Sequence, residues 1–125
     1  RCTSGEYYKG VLKGKSTGVF NGKIHVAKDA QKTSSYQLNK SILLSDEAIM
    51  NSKPQLEIFA DDVKCTHGAT IGELDKDALF YLQARGIDRE SAQAILIHAF
   101  VNDIMEKIKN EKLLEYLTKR ITEKL

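Results

Sequence analysis

Across residues 7–71 the apolar positions come singly or in short clusters: Val11 and Leu12, Val19 and Phe20, Ile24 and Val26, Tyr36 and Leu38, Ile42 with Leu43 and Leu44, Ile49, Leu56 with Ile58 and Phe59, and Val63. Gly, Ser, Asn, Asp or Lys stands between each cluster and the next, and these residues supply turns and positive-φ positions. The pattern predicts short strands with frequent turns. It does not choose between a sandwich of two sheets and a solenoid whose turns stack one on another. Past Gly72 the spacing becomes helical. Asp75 is placed to cap a helix over residues 76–85, with Ala78, Leu79 and Leu82 at helical spacing and Gly86 where a terminating glycine belongs. Asp88 can cap a second, longer helix whose apolar stripe is Ala92, Ile95, Leu96, Ala99, Phe100, Ile104 and Ile108. After Asn110, the residues Leu113, Leu114, Leu117, Ile121 and Leu125 mark a third. Linkers this short predict a small antiparallel helical cap.

Composition narrows the class. With 125 residues, 42% hydrophobic and 29% charged, the chain is globular in character and has the size of one modest domain. A net charge of +2, from 19 basic residues interleaved with 17 acidic ones, implies no nucleic-acid or other polyanionic partner. Two cysteines far apart make no disulfide framework, and neither a leader nor a membrane-length apolar run is present, so the expected setting is reducing and cytoplasmic. Asn39, Lys40 and Ser41 match the glycosylation acceptor pattern, which is common by chance and has no meaning in a cytosolic protein.

Candidate chemistry gathers in residues 61–72, at the change from strand to helix. On a strand, Val63, Cys65 and His67 share one face while Lys64 and Thr66 share the other. A thiol and an imidazole then lie side by side, about 6 to 7 Å apart along the backbone, within reach of one metal ion or one sulfur. Such a pair is also compatible with an ordinary packed cysteine beside a hydrogen-bonded histidine. The polar flanks Asp61, Asp62 and Lys64 are unusual for a cysteine used only in packing, and Gly68 leaves the backbone beside His67 open. Cys2, His25, Cys65, His67 and His98 are too scattered for a self-contained tetrahedral site, so a metal or cluster at Cys65 and His67 would need donors from another chain. His25 and His98 read as structural or solvated. Gly10 to Ser16 falls one residue short of a phosphate-binding loop and is followed by strand-like sequence rather than a helix, so no nucleotide is expected on this chain.

The succession Leu43 Leu44 Ser45, Pro54 Gln55 Leu56 Glu57 Ile58, Asp61 Asp62 Val63 Lys64 Cys65 Thr66 His67 Gly68 Ala69 Thr70, Phe80 Tyr81 Leu82 and Arg85 Gly86 closely resembles the SufB/SufD family, the scaffold subunits of the SUF iron-sulfur cluster assembly machinery. The resemblance runs through nearly the whole chain. It is stronger toward the SufD branch, because the SufB branch tends to carry an acidic residue where Gly68 stands. It implies a mainly β plus α fold: residues 1–74 as the last coils of a right-handed parallel β-helix and residues 75–125 as a C-terminal helical subdomain. The opening on Arg1 without Met fits a C-terminal fragment, and the unpaired edge of a cut β-helix would favour an artefactual homodimer. The implied role is a scaffold rather than an enzyme. SufB would pair through the β-helix, so that Cys65 and His67 help hold iron or a nascent, transient iron-sulfur cluster, and the SufC ATPase would dock on the helices, with Phe80, Tyr81, Ile87 and Ile97 as apolar candidates for that contact. A SufB-type subunit, a protein-binding module with an inert cysteine, and a thiol enzyme with Cys65 as nucleophile and His67 as base are the alternatives. For the last, no third orienting group or oxyanion donors can be identified.

Overall fold

In a computed structural model describing residues 1–124, the chain divides into two units, Arg1–Glu73 and Leu74 onward. Leu125, assigned above to the third helix, lies outside the described residues. The first unit holds five strands: β1 (Thr3–Leu12), β2 (Thr17–Val26), β3 (Ser34–Leu43), β4 (Ile49–Ile58) and β5 (Lys64–Gly72). They are long, nine or ten residues each, where the apolar clusters predict short ones. The reason lies in the residues taken for turn punctuation. Gly18, Asn21 and Gly22 are inside β2, Asn39 to Ser41 inside β3, and Asn51, Ser52 and Pro54 inside β4.

All pairing is parallel. Odd strands form one sheet in the order β1-β3-β5 and even strands a second, β2-β4, so the chain alternates between sheets. Registers are unbroken: Thr3 lies beside Ser34 and Ser34 beside Lys64, while Thr17 lies beside Ile49. Gly14, at φ +63°, turns the chain from β1 into β2, so residues 10–16 are the end of β1 and a turn, with β2 beginning at Thr17.

The sheets meet face to face. Asn39 Nδ2 on β3 donates to Ser52 Oγ on β4 at 3.1 Å, and a Cβ at Gly22 of β2 would fall 2.7 and 2.8 Å from the Gln37 amide atoms of β3. The face of β3 turned toward the second sheet is therefore Ser35, Gln37, Asn39 and Ser41, all buried and all polar. Tyr36 and Leu38, which make the strand recognisable, lie on the opposite, half-buried face, where Tyr36 stacks beside Tyr7 at 5.4 Å. Apolar packing lies at both ends: Ile24, Val26 and Ala60 are buried at one, with Ala30, Leu56, Val63 and Cys65 against them, and Leu12, Ile42 and Ala48 are buried at the other.

The second unit is α1 (Lys76–Ala84), α2 (Arg89–Met105) and α3 (Glu111–Lys124). Asp75 caps α1 by accepting from the amides of Asp77 and Ala78, and Gly86 at φ +87° closes it. Asp88 caps α2 through the Ser91 amide at 3.0 Å, and Asn110 Oδ1 accepts from Leu113 N–H at the start of α3. On α2 the buried residues are Ala92, Ile97 and Met105, while Ile95 is 45% exposed and Ala99 is also exposed. The buried face is thus rotated from the expected stripe. Two neighbours cause this: α1 packs on α2, and Thr118 and Ile121 of α3 line a crevice with Val101 and Met105.

Candidate functional site

Local contacts fix where β5 begins. Lys32, a non-glycine residue at φ +60°, donates its N–H to the Asp62 carbonyl, and Asp62 N–H donates to Gln31 Oε1 at 2.9 Å. Lys64 N–H then donates to the Thr33 carbonyl at 2.9 Å. The polar run Asp61 to Lys64 is therefore a corner clamped to the corner before it, and it sets the register of everything that follows.

That register decides which way the candidate residues face. Cys65 pairs with Ser35 and His67 with Gln37. Registered residues on neighbouring parallel strands project to the same side, so Cys65 and His67 both face as Ser35 and Gln37 do, toward the side of the second sheet. Cys65 is half-buried, resting against the apolar cluster of Ile24, Val26 and Ala60; His67 is exposed. The difference follows from the strand order. β5 is an edge strand, and among the described residues no strand beyond β4 lies opposite it to cover its outer half.

Among the described residues, no group of three or more His, Cys, Asp or Glu side chains is arranged to hold a metal ion. Cys65 and His67 offer one soft and one borderline donor, a combination suited to iron. Cys2 is exposed on the far side of the same sheet, where its carbonyl accepts from Ser34 N–H. His25 is engaged elsewhere. Its Nδ1 lies 3.3 Å from Glu57 Oε2 and its ring 5.4 Å from that of Phe59. The Lys23 ammonium, donating to Glu57 Oε1 at 3.0 Å, together with His25, holds the Glu57 carboxyl below the ordinary carboxylate range. His98 is exposed at the edge of the crevice between α2 and α3.

The helical candidates separate. Phe80 is 73% and Tyr81 56% exposed, with the Arg85 guanidinium 4.9 Å above the Tyr81 ring. Ile87 is half-buried. Ile97 does not meet the expected exposure: at 6% it belongs to the packed face of α2.

Sequence reasoning passed over the polar residues behind the site. Gln37 Nε2 donates to Glu6 Oε2 at 2.8 Å, and Ser41 Oγ donates to Asn39 Oδ1 at 3.1 Å. Asn39, the residue matching the glycosylation pattern, is 2% exposed and so inaccessible as an acceptor. The period-two run Ser35, Gln37, Asn39, Ser41 is a visible signal, but alternation alone assigns polar residues to solvent.

Comparison with known proteins identifies the family. Residues 1–100 match the family model described as SUF system FeS cluster assembly, SufBD core domain. The chain is 42% identical to the iron-sulfur cluster assembly protein SufD of Escherichia coli K12 over 124 residues, covering 99% of this chain and 29% of that protein. It is 50% identical to the chloroplastic protein ABCI7 of Arabidopsis thaliana over 95 residues, 76% of this chain and 20% of the relative. To an iron-sulfur cluster assembly SufBD family protein of Synechocystis it is 43% identical over 103 residues, 82% of this chain and 23% of the relative. The chain thus spans less than a third of the length of these relatives. With the matched model reaching through all five strands and into α2, the chain belongs to the SufB/SufD family and is SufD-like within it.

Proposed function

We propose that this chain is a non-catalytic, SufD-like scaffold element of SUF iron-sulfur cluster assembly, working in the reducing environment of the cytoplasm. Its alternating parallel sheets are the last coils of a right-handed β-helix over residues 1–74, and residues 75–125 form a helical subdomain. The β-helix pairs with SufB, and the helices dock the SufC ATPase. Iron and sulfide are cargo rather than resident cofactor. Cys65 serves as thiolate ligand or sulfur acceptor and His67 as a nitrogen ligand, with SufB supplying the remaining donors. A site divided between two chains can open when an ATP-driven partner moves them, which suits a cluster that must be released.

The observation that carries this reading is the placement of Cys65 and His67 on one face of an edge strand. One observation favours the alternative of an inert cysteine: Cys65 rests against the apolar cluster at Ile24, Val26 and Ala60. Cluster delivery separates the two. In the complex reconstituted with SufB and SufC, Cys65→Ala and His67→Ala should each slow cluster transfer to an apo-acceptor by roughly tenfold or more, at least the scale on which losing an outer-shell partner of a metal ligand acts, with folding intact. Transfer at the unsubstituted rate by both variants rejects the scaffold site.

A further inference from the structure

Glu6, Gln37 and His67 occupy one register line across β1, β3 and β5, all on the face turned to the second sheet. Gln37, the middle member, is 1% exposed. Its Nε2 donates to Glu6 Oε2 at 2.8 Å, and because a carboxylate only accepts, this bond fixes which end of the amide is nitrogen. Among the described residues, the other end, Gln37 Oε1, is the buried side-chain atom without a hydrogen-bond partner. A Cβ at Gly22 would lie 2.7 Å from Nε2 and 2.8 Å from Oε1, so the amide lies broadside to β2, its N-to-O direction running along the stack of strands rather than across to the second sheet. Nitrogen points to β1, and oxygen is therefore turned toward β5.

A buried amide oxygen left without a donor is costly, roughly 1 to 3 kcal/mol. The residue beside it on β5 is His67, whose ring carries an N–H donor in either tautomer. We propose that Gln37 is a positioning residue: a turn of the exposed His67 side chain brings one ring N–H to Gln37 Oε1, which accepts it, fixing the tautomer and leaving the other ring nitrogen, as a lone-pair donor, on the exposed side of the ring. Glu6 completes the line by holding the Gln37 amide in the orientation that presents oxygen to the ring.

The bearing of this bond on iron ligation rests on the role given to His67 above. The bond itself does not, and it is read without metal. In the full, metal-free protein labelled with isotope-enriched histidine, at about pH 8 where an ordinary imidazole is neutral, a ring N–H resonance of His67 slow to exchange with solvent is expected, assigned by its loss in His67→Gln. Gln37→Met, close in shape but without the acceptor, should abolish it. The exchanged pair Glu6→Gln with Gln37→Glu keeps an acceptor toward the ring and a hydrogen bond to residue 6, and should retain it. Absence of a protected His67 N–H in the unsubstituted protein overturns the proposal even if the variants fail to fold. Its survival in folded Gln37→Met does the same. A protected N–H combined with normal cluster transfer by His67→Ala would leave the hydrogen bond standing and remove only the ligand role.

Discussion

Gly22 has a neighbour that no local rule reveals. A methyl group there would fall 2.6 Å from Phe20 and 2.7 Å from the buried Gln37 amide. The amide is held by Glu6 and cannot easily withdraw. Gly22→Ala should therefore destabilise by about 1 to 3 kcal/mol, as overpacking does. Gly14→Ala meets no atom within 4 Å but must hold φ +63°, which costs about 1 to 2 kcal/mol for a residue with a Cβ. Gly72→Ala meets neither problem and serves as the neutral control. Urea midpoints of the three check the distinction, and a Gly22→Ala protein as stable as Gly72→Ala contradicts the packing described between the sheets. The sequence makes Cys65 and His67 legible as neighbours on one face because a two-residue offset on a strand has one geometric meaning. It does not make Gln37 legible, since a glutamine in an alternating polar run looks solvated until a second sheet is known to cover it.

Helix boundaries were the most readable elements. Asp75, Asp88 and Asn110 each pair a short polar side chain with the orphan amides of a first turn, a purely local interaction. Asp75→Ala should cost about 1 kcal/mol of stability through the lost cap. The Ser91 side chain, and after it the Ser91 amide, holds the Asp88 carboxyl below its ordinary range. A carboxylate with a lowered folded pKa stabilises the protein above its unfolded pKa and stops doing so as pH falls through the folded value. A stability curve measured from pH 6 downward should accordingly drop less below about pH 4 for Asp88→Asn, which still caps but cannot titrate, than for the native protein. Equal slopes would deny the linkage. The face of α2 was less readable. Apolar residues surround much of its circumference, so which of Ile95 and Ile97 is buried depends on two neighbouring helices rather than on its own period. Strand lengths were hidden for a related reason: glycines and asparagines needed for packing between sheets imitate turns.

For the whole molecule, topology supplies what pattern could not. Alternation of parallel strands between two sheets leaves β5 at an edge, and that edge is what gives a half-buried thiol and an exposed imidazole a common outlook. Phe80 and Tyr81 make a separate claim on the helical unit. On the proposed docking of SufC to the helices, Phe80→Ser together with Tyr81→Ser should weaken that binding by roughly tenfold or more, the scale of aromatic hot spots, with little change in stability. Ile97→Ala should instead cost about 2 to 5 kcal/mol of stability by opening a cavity. Titration of the ATPase against both variants would reveal it if the assignments were reversed. The proposed scaffold role depends most on the donor pair of β5, and chemical analysis of iron and acid-labile sulfide in the purified complex with SufB and SufC tests it most directly. Cys65→Ala should remove most of both relative to the unsubstituted complex, and His67→Ala should lower iron. Unchanged iron and sulfide in the double variant would contradict it.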